Sequence, residues 1–86
     1  MRAEFHKTFD KQFIKLPKKR QVKVIETISL FLDEPMESSL HNHALTDEWA
    51  GFRSISAGGD LRLHFEIIGD DIAYFVAVGT HSQLYK

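Results

Sequence analysis

The stretch LRLHFEIIGDDIAYFVAV, residues 61–78, decides the fold. Leu61, Leu63, Phe65 and Ile67 alternate with Arg62, His64 and Glu66, which is the two-residue period of a strand with one face buried. Ile72–Val78 is nearly all apolar, as expected of an interior strand covered on both faces. Gly69-Asp70-Asp71 between the two runs supplies hairpin-turn chemistry. Just upstream, Gly58-Gly59-Asp60 supplies a second turn, so Trp49–Ser56 becomes the first strand of a three-stranded antiparallel meander.

Toward the N-terminus the period lengthens. Thr8 suits an N-cap, after which Phe9, Phe13 and Leu16 recur at i, i+4 and i+7 of a short amphipathic helix. Pro17 suits the first position of a second helix whose apolar face is Val24, Ile25, Ile28, Phe31 and Leu32, and Pro35 blocks its continuation. Arg2–Lys7 fits a short opening strand, and the polar stretch Glu34–Leu45 a connecting loop. The expected order is β-α-α-β-β-β. That makes residues 1–86 one α+β domain, with a helical hairpin packed on one face of an antiparallel sheet.

Composition narrows the class. The chain has 86 residues, 43% hydrophobic and 27% charged, and no cysteine, so it must fold by packing alone, without disulfides or a thiolate zinc site. A cytoplasmic protein is expected, because no apolar run is long enough for a signal peptide or a membrane span. Net charge is −1, but residues 1–23 hold eight Lys and Arg against two acids, +6, and the remainder carries −7. Lys18, Lys19, Arg20 and Lys23 concentrate the positive charge on the second helix. They suit either a polyanionic partner or an ordinary solvated face.

Side chains able to do chemistry collect in the C-terminal half: His41, His43, Arg53, Asp60, Arg62, His64, His81 and Tyr85. His41 and His43 have the look of a metal pair but lack a third assigned ligand, so no metal is expected. His81 follows the last strand directly. There an imidazole, titrating near neutrality, would suit proton transfer. Arg62 alternates with core residues. On an open sheet face it offers a planar fork to a phosphate, and otherwise a salt bridge to Glu66 or another acid.

These residues also stand in a recognisable order. His43-Ala-Leu, Trp49-Ala-Gly-Phe-Arg53, Asp60 and the terminal Gly79-Thr-His-Ser-Gln-Leu-Tyr85 together resemble the YafQ branch of the RelE/ParE toxin superfamily, over nearly the whole chain. Thr8–Pro17 resembles the looser opening common among these toxins. The resemblance implies a toxin of a type II toxin-antitoxin system: a metal-independent, ribosome-dependent mRNA endonuclease, without a cofactor, that a cognate antitoxin silences. Its partners would be that antitoxin, the ribosome and mRNA.

By position the resemblance implies that His43, Asp60 and His81 are acid/base residues and that Arg62 is the superfamily's phosphate-side arginine. Arg53 and Tyr85 would contact substrate, and the basic hairpin with Lys18, Lys19, Arg20 and Lys23 would dock on ribosomal RNA, away from the chemistry. Two features depart from the branch. Ser54 and Ser56 stand where it commonly has Asp and His, leaving His64 as a candidate replacement, and the overall charge is low for such toxins. The other reading of the same chain is a binding module of this fold without nuclease activity, either a gyrase inhibitor or a degenerate toxin that binds only its antitoxin.

Overall fold

The computed structural model describes residues 1–85. The chain runs through β1 (Arg2–Phe5), α1 (Lys7–Ile14), α2 (Lys18–Asp33), a 3-10 turn (Ser38–Leu40), β2 (His43–Ala44), a second 3-10 turn (Asp47–Trp49), β3 (Arg53–Ser56), β4 (Leu61–Ile68), β5 (Ile72–Thr80) and α3 (His81–Leu84). The strands form one sheet in the order β1-β5-β4-β3-β2. The β3-β4-β5 meander is antiparallel as expected. β1, however, pairs parallel to β5, so the sheet is mixed. A parallel neighbour cannot be reached through a tight turn.

Local chemistry explains the other departures. α1 begins two residues earlier than its sequence suggests: His6 is the N-cap, and its Nδ1 accepts from the Thr8 N–H at 3.0 Å, so Thr8 is the donor and not the cap. Pro17 precedes α2 as its N-cap, with its carbonyl accepting from the Arg20 and Gln21 amides. The Gln21 side chain donates to the carbonyls of Phe13, Ile14 and Leu16, covering the open end of α1 and holding the hairpin closed. Within α2, Val24, Thr27 and Phe31 are buried, whereas Ile25 faces solvent. Thr27 takes an inward position because its hydroxyl donates to the Lys23 carbonyl at 2.7 Å. The stretch expected to be a loop contains a buried anchor, Leu40, and the edge strand β2. The strand expected from Trp49 begins only at Arg53.

The core lies between the helical hairpin and one sheet face. Phe9, Val24 and Phe31 meet Ile55, Leu61, Leu63, Phe65, Phe75 and Val78. Phe31 packs edge-on against Phe65, with ring centroids 4.8 Å apart, and against Phe75 at 5.8 Å. β5 is not covered evenly on both faces, since Ala73 and Phe75 are buried while Tyr74 and Val76 are half-buried. Phe75 and Val78 both face the core although they are three residues apart. A bulge makes this possible: Phe65 pairs with Phe75 and His64 with Ala77, leaving Val76 unpaired.

Beyond Phe5 the outer edge of β5 has lost its parallel neighbour, and α1 supplies a substitute. Gln12 Oε1 accepts from the Val78 N–H at 2.8 Å. Gln12→Ala should therefore strand a buried amide and lower stability by about 1–3 kcal/mol, while Gln12→Glu, which keeps the acceptor, loses less. Urea unfolding of the three proteins measures this. Equal midpoints for Gln12→Ala and the parent would show that the bond contributes nothing.

Candidate functional site

The sheet face turned away from α1 and α2 carries the polar residues in register. His43 pairs with Ser54, Ser54 with His64, and His64 with Ala77. In the next row Ser56 pairs with Arg62, and Arg62 with Gly79. Directly opposed residues in an antiparallel sheet share a face, so His43, Ser54, Ser56, Arg62 and His64 form one patch. Thr80 then caps α3 in a reciprocal box with Gln83, and His81 stands at the start of that turn. A side chain at Gly79 would meet Gln83 Oε1 at 2.9 Å, so the glycine is what lets α3 fold back onto β5.

A cleft of about 310 Å³ opens at this end of the sheet, lined by His43, Trp49, His81 and Tyr85 together with the 44–48 segment. His43 Nδ1 lies 2.7 Å from the His41 carbonyl, which can only accept, so Nδ1 carries a proton. In the neutral ring the lone pair is then on Nε2. Left-handed backbone at His41 turns its carbonyl toward that ring. His81 is exposed, and its ring packs on Tyr85 at 4.5 Å. The Trp49 indole N–H donates to the Leu84 carbonyl at 3.2 Å, tying the cleft wall to α3.

Arg62 is half-buried and pairs with no acid among the described residues. Its Nη1 donates to Ser56 Oγ and to the carbonyls of Gly59 and Leu61, which fixes the guanidinium and leaves its other donors without a partner among the described residues. Gly58 and Gly59, both at positive φ, make the tight turn that brings the Gly59 carbonyl there. His41 and His43 gather no third ligand, and among the described residues no group of three or more His, Asp or Glu could hold a metal ion.

Two candidates lie apart from the cleft. The Asp60 carboxylate, largely exposed, faces Arg20 of α2 at 3.8 Å, and only its carbonyl approaches the cleft, accepting from the His81 N–H at 3.1 Å. By strand alternation Arg53 shares the core-facing side with Ile55, and its Nε donates to Asn42 Oδ1 at 2.8 Å. The basic residues are not remote from this end. Lys19, Arg20 and Lys23 line a groove of about 550 Å³ against the Gly58-Gly59 turn, and Lys18 is exposed beside them.

His64 is the residue whose setting the sequence did not disclose. Alternation places it opposite Leu63, yet it is fully buried, under Trp49 at 4.4 Å and Tyr85 at 5.5 Å. Neither ring nitrogen has a hydrogen-bond partner among the described residues. Each such group costs about 1–3 kcal/mol. Burial first, then the positive charge of protonated His43 and His81, push its pKa down from 6.5 to about 4. An unfolded chain binds the proton more readily, so stability is full above pH 6.5 and drains away as pH falls toward 4, by about 3 kcal/mol. His64→Leu should be the more stable protein at neutral pH and should lose this part of the acid limb. Chemical denaturation at several pH values tests it, and parallel acid limbs for the two proteins would contradict it.

The family model described as "Bacterial toxin of type II toxin-antitoxin system, YafQ" matches residues 1–86. No curated protein sequence matches the chain. Among solved structures, YafQ from E. coli strain BL21(DE3) superposes with a TM-score of 0.80 at 24% identity, covering 99% of this chain and 98% of that one. YafQ in the E. coli DinJ-YafQ complex gives 0.77 at 24% identity, with 99% and 98% covered. The toxin-antitoxin complex RelBE2 of Mycobacterium tuberculosis gives 0.75 at 23% identity, with 92% and 95% covered. At these identities the structures show a shared fold.

Proposed function

The chain belongs to the YafQ family of bacterial type II toxin-antitoxin toxins, and from that premise we propose that it is a metal-independent endoribonuclease that cuts mRNA on the ribosome, in the cytoplasm. The observation that carries this reading is the convergence of His43, His81 and Tyr85 on one cleft, with Arg62 on the same sheet face.

The reaction divides among these groups. His43 Nε2 takes the proton of the 2′-hydroxyl, and the freed oxygen attacks the adjacent phosphorus. The new 2′-O–P bond forms as the P–O5′ bond breaks, leaving a 2′,3′-cyclic phosphate and a 5′-hydroxyl. His81 supplies the proton that the departing 5′-oxygen needs, since an imidazole can hold one near neutral pH. Arg62, held by three bonds from one nitrogen, presents its remaining donors to the phosphate, where preorganised cationic donors contribute a factor of roughly 10²–10³. Tyr85 offers a stacking surface.

Asp60 and Arg53 serve the chemistry through others in this reading. The Asp60 carbonyl holds the His81 amide, and Arg53 holds Asn42, the residue before His43. His43 rather than Asp60 is the base, because the Asp60 carboxylate faces Arg20. Lys18, Lys19, Arg20 and Lys23 dock on ribosomal RNA beside the β3-β4 turn, so docking and chemistry share one end of the molecule. A cognate antitoxin keeps the toxin silent, as the existence of toxin-antitoxin complexes of similar fold supports.

His81→Ala should leave the fold intact and slow cleavage by roughly 10²–10⁴, the usual contribution of a general acid. Toeprinting of messenger on stalled ribosomes reads the cut. Wild-type cleavage by the variant removes His81 from the mechanism. If the parent itself cuts nothing yet binds its antitoxin, Ser54 and Ser56 mark a degenerate toxin, the second reading they favour.

Changing Lys18, Lys19, Arg20 and Lys23 to glutamine should weaken ribosome binding and flatten its dependence on salt, because fewer phosphate counterions are released. Thermal stability should change little, since these side chains are exposed. A ribosome-binding titration from low to high salt that leaves parent and variant superposed would reduce the patch to a solvated face.

A further inference from the structure

The cleavage chemistry makes no use of His64, the most deeply buried polar group on the site's face. An imidazole with both nitrogens unpartnered is uncommon in a folded interior and calls for a physical reason. Its neighbours supply one. Above it stand two aromatic side chains, and beside it in the sheet are Ser54 and Ala77, both small.

The two aromatic walls are held differently. Trp49 is anchored by its indole N–H to the Leu84 carbonyl. Tyr85 is 38% exposed and follows α3, attached there by its backbone N–H to the His81 carbonyl. Its ring sits between His64 and His81, 5.5 Å from one and 4.5 Å from the other. Rotation of this one side chain would uncover His64 and clear a flat space against Trp49 beside the proposed acid.

We propose that Trp49, His64 and Tyr85 form a nucleobase subsite, in which a base unstacked from single-stranded messenger displaces the Tyr85 ring and hydrogen-bonds to His64. The proposal rests on the reading of the chain as an RNA-cleaving toxin. Aromatic walls stack on any base and so bind without choosing. A neutral imidazole at the floor chooses, because a matching base edge pairs with one of its nitrogens, whereas an edge that cannot pair leaves that nitrogen and its own polar group both buried and unsatisfied. His64 thereby becomes a specificity-determining residue, with Tyr85 closing the subsite until substrate arrives.

Trp49 is the single tryptophan of the chain and touches His64, so its fluorescence reports occupancy directly. The probes are 2′-O-methyl trinucleotides that differ only in the central base and lack the attacking hydroxyl. The full chain should bind its preferred trinucleotide at least about tenfold more tightly than the weakest. His64→Leu should bind all four within about twofold of one another, and His64→Gln, which restores a hydrogen-bonding group, should recover a preference. Retention of the parent's ranking by His64→Leu would make His64 a packing residue and overturn the proposal, as would a parent whose Trp49 responds to none of the probes. Selective binding by a parent that leaves ribosome-bound messenger uncut would instead refute the nuclease and keep the subsite.

Discussion

Edge-to-face packing of Phe31 on Phe65 and Phe75 sets which side of β4 and β5 is buried, and the rest of the molecule depends on that choice. Side chains alternate along a strand, so pinning Phe65 inward sends Arg62 and His64 to the other face together. A slip of one residue would bury the arginine beneath α2 and expose Leu63. The hairpin α1-α2 is therefore more than a scaffold: its phenylalanines fix the register that assembles the cleft. Gln21 and Gln12 complete the arrangement by pairing the backbone groups that the hairpin and the shortened β1 leave open.

How much of this was legible in the sequence follows from how local each feature is. β4 and the two hairpin turns could be read because strand alternation and turn chemistry are written in adjacent residues. The parallel pairing of β1 with β5 could not, since it joins Arg2 to Ile72 with no local mark. β2 and α3 escaped because two and four residues are too few to show a period. The start of α1 was misplaced for another reason: a histidine cap is uncommon, and threonine is the usual occupant.

The site divides in the same way. The motif order led to His43 and His81, and the alternation led to Arg62. What it could not supply was direction. Asp60 and Arg53 are near the cleft in sequence logic, but their side chains turn toward Arg20 and Asn42 because those partners lie on other elements. His64 fell on the polar side of a strand and was expected to meet solvent. Only the tertiary placement of Trp49 and Tyr85 buries it.

The bulge at Val76 turns the length of β5 into a question of parity. Phe75 belongs to the core and Gly79 to the face bearing Arg62, and the one unpaired residue between them reconciles the two. Loss of Val76 alone would leave a regular ladder, with Ala77 still opposite His64 and Gly79 still opposite Arg62, so the capping box and His81 would keep their face. Loss of a second residue, with no bulge left to absorb it, would carry the capping box and His81 to the helical side. The bulge is thus a place where the strand can give up one residue without turning its end over, so that the facing of His81 is buffered against a change of length as well as set by alternation.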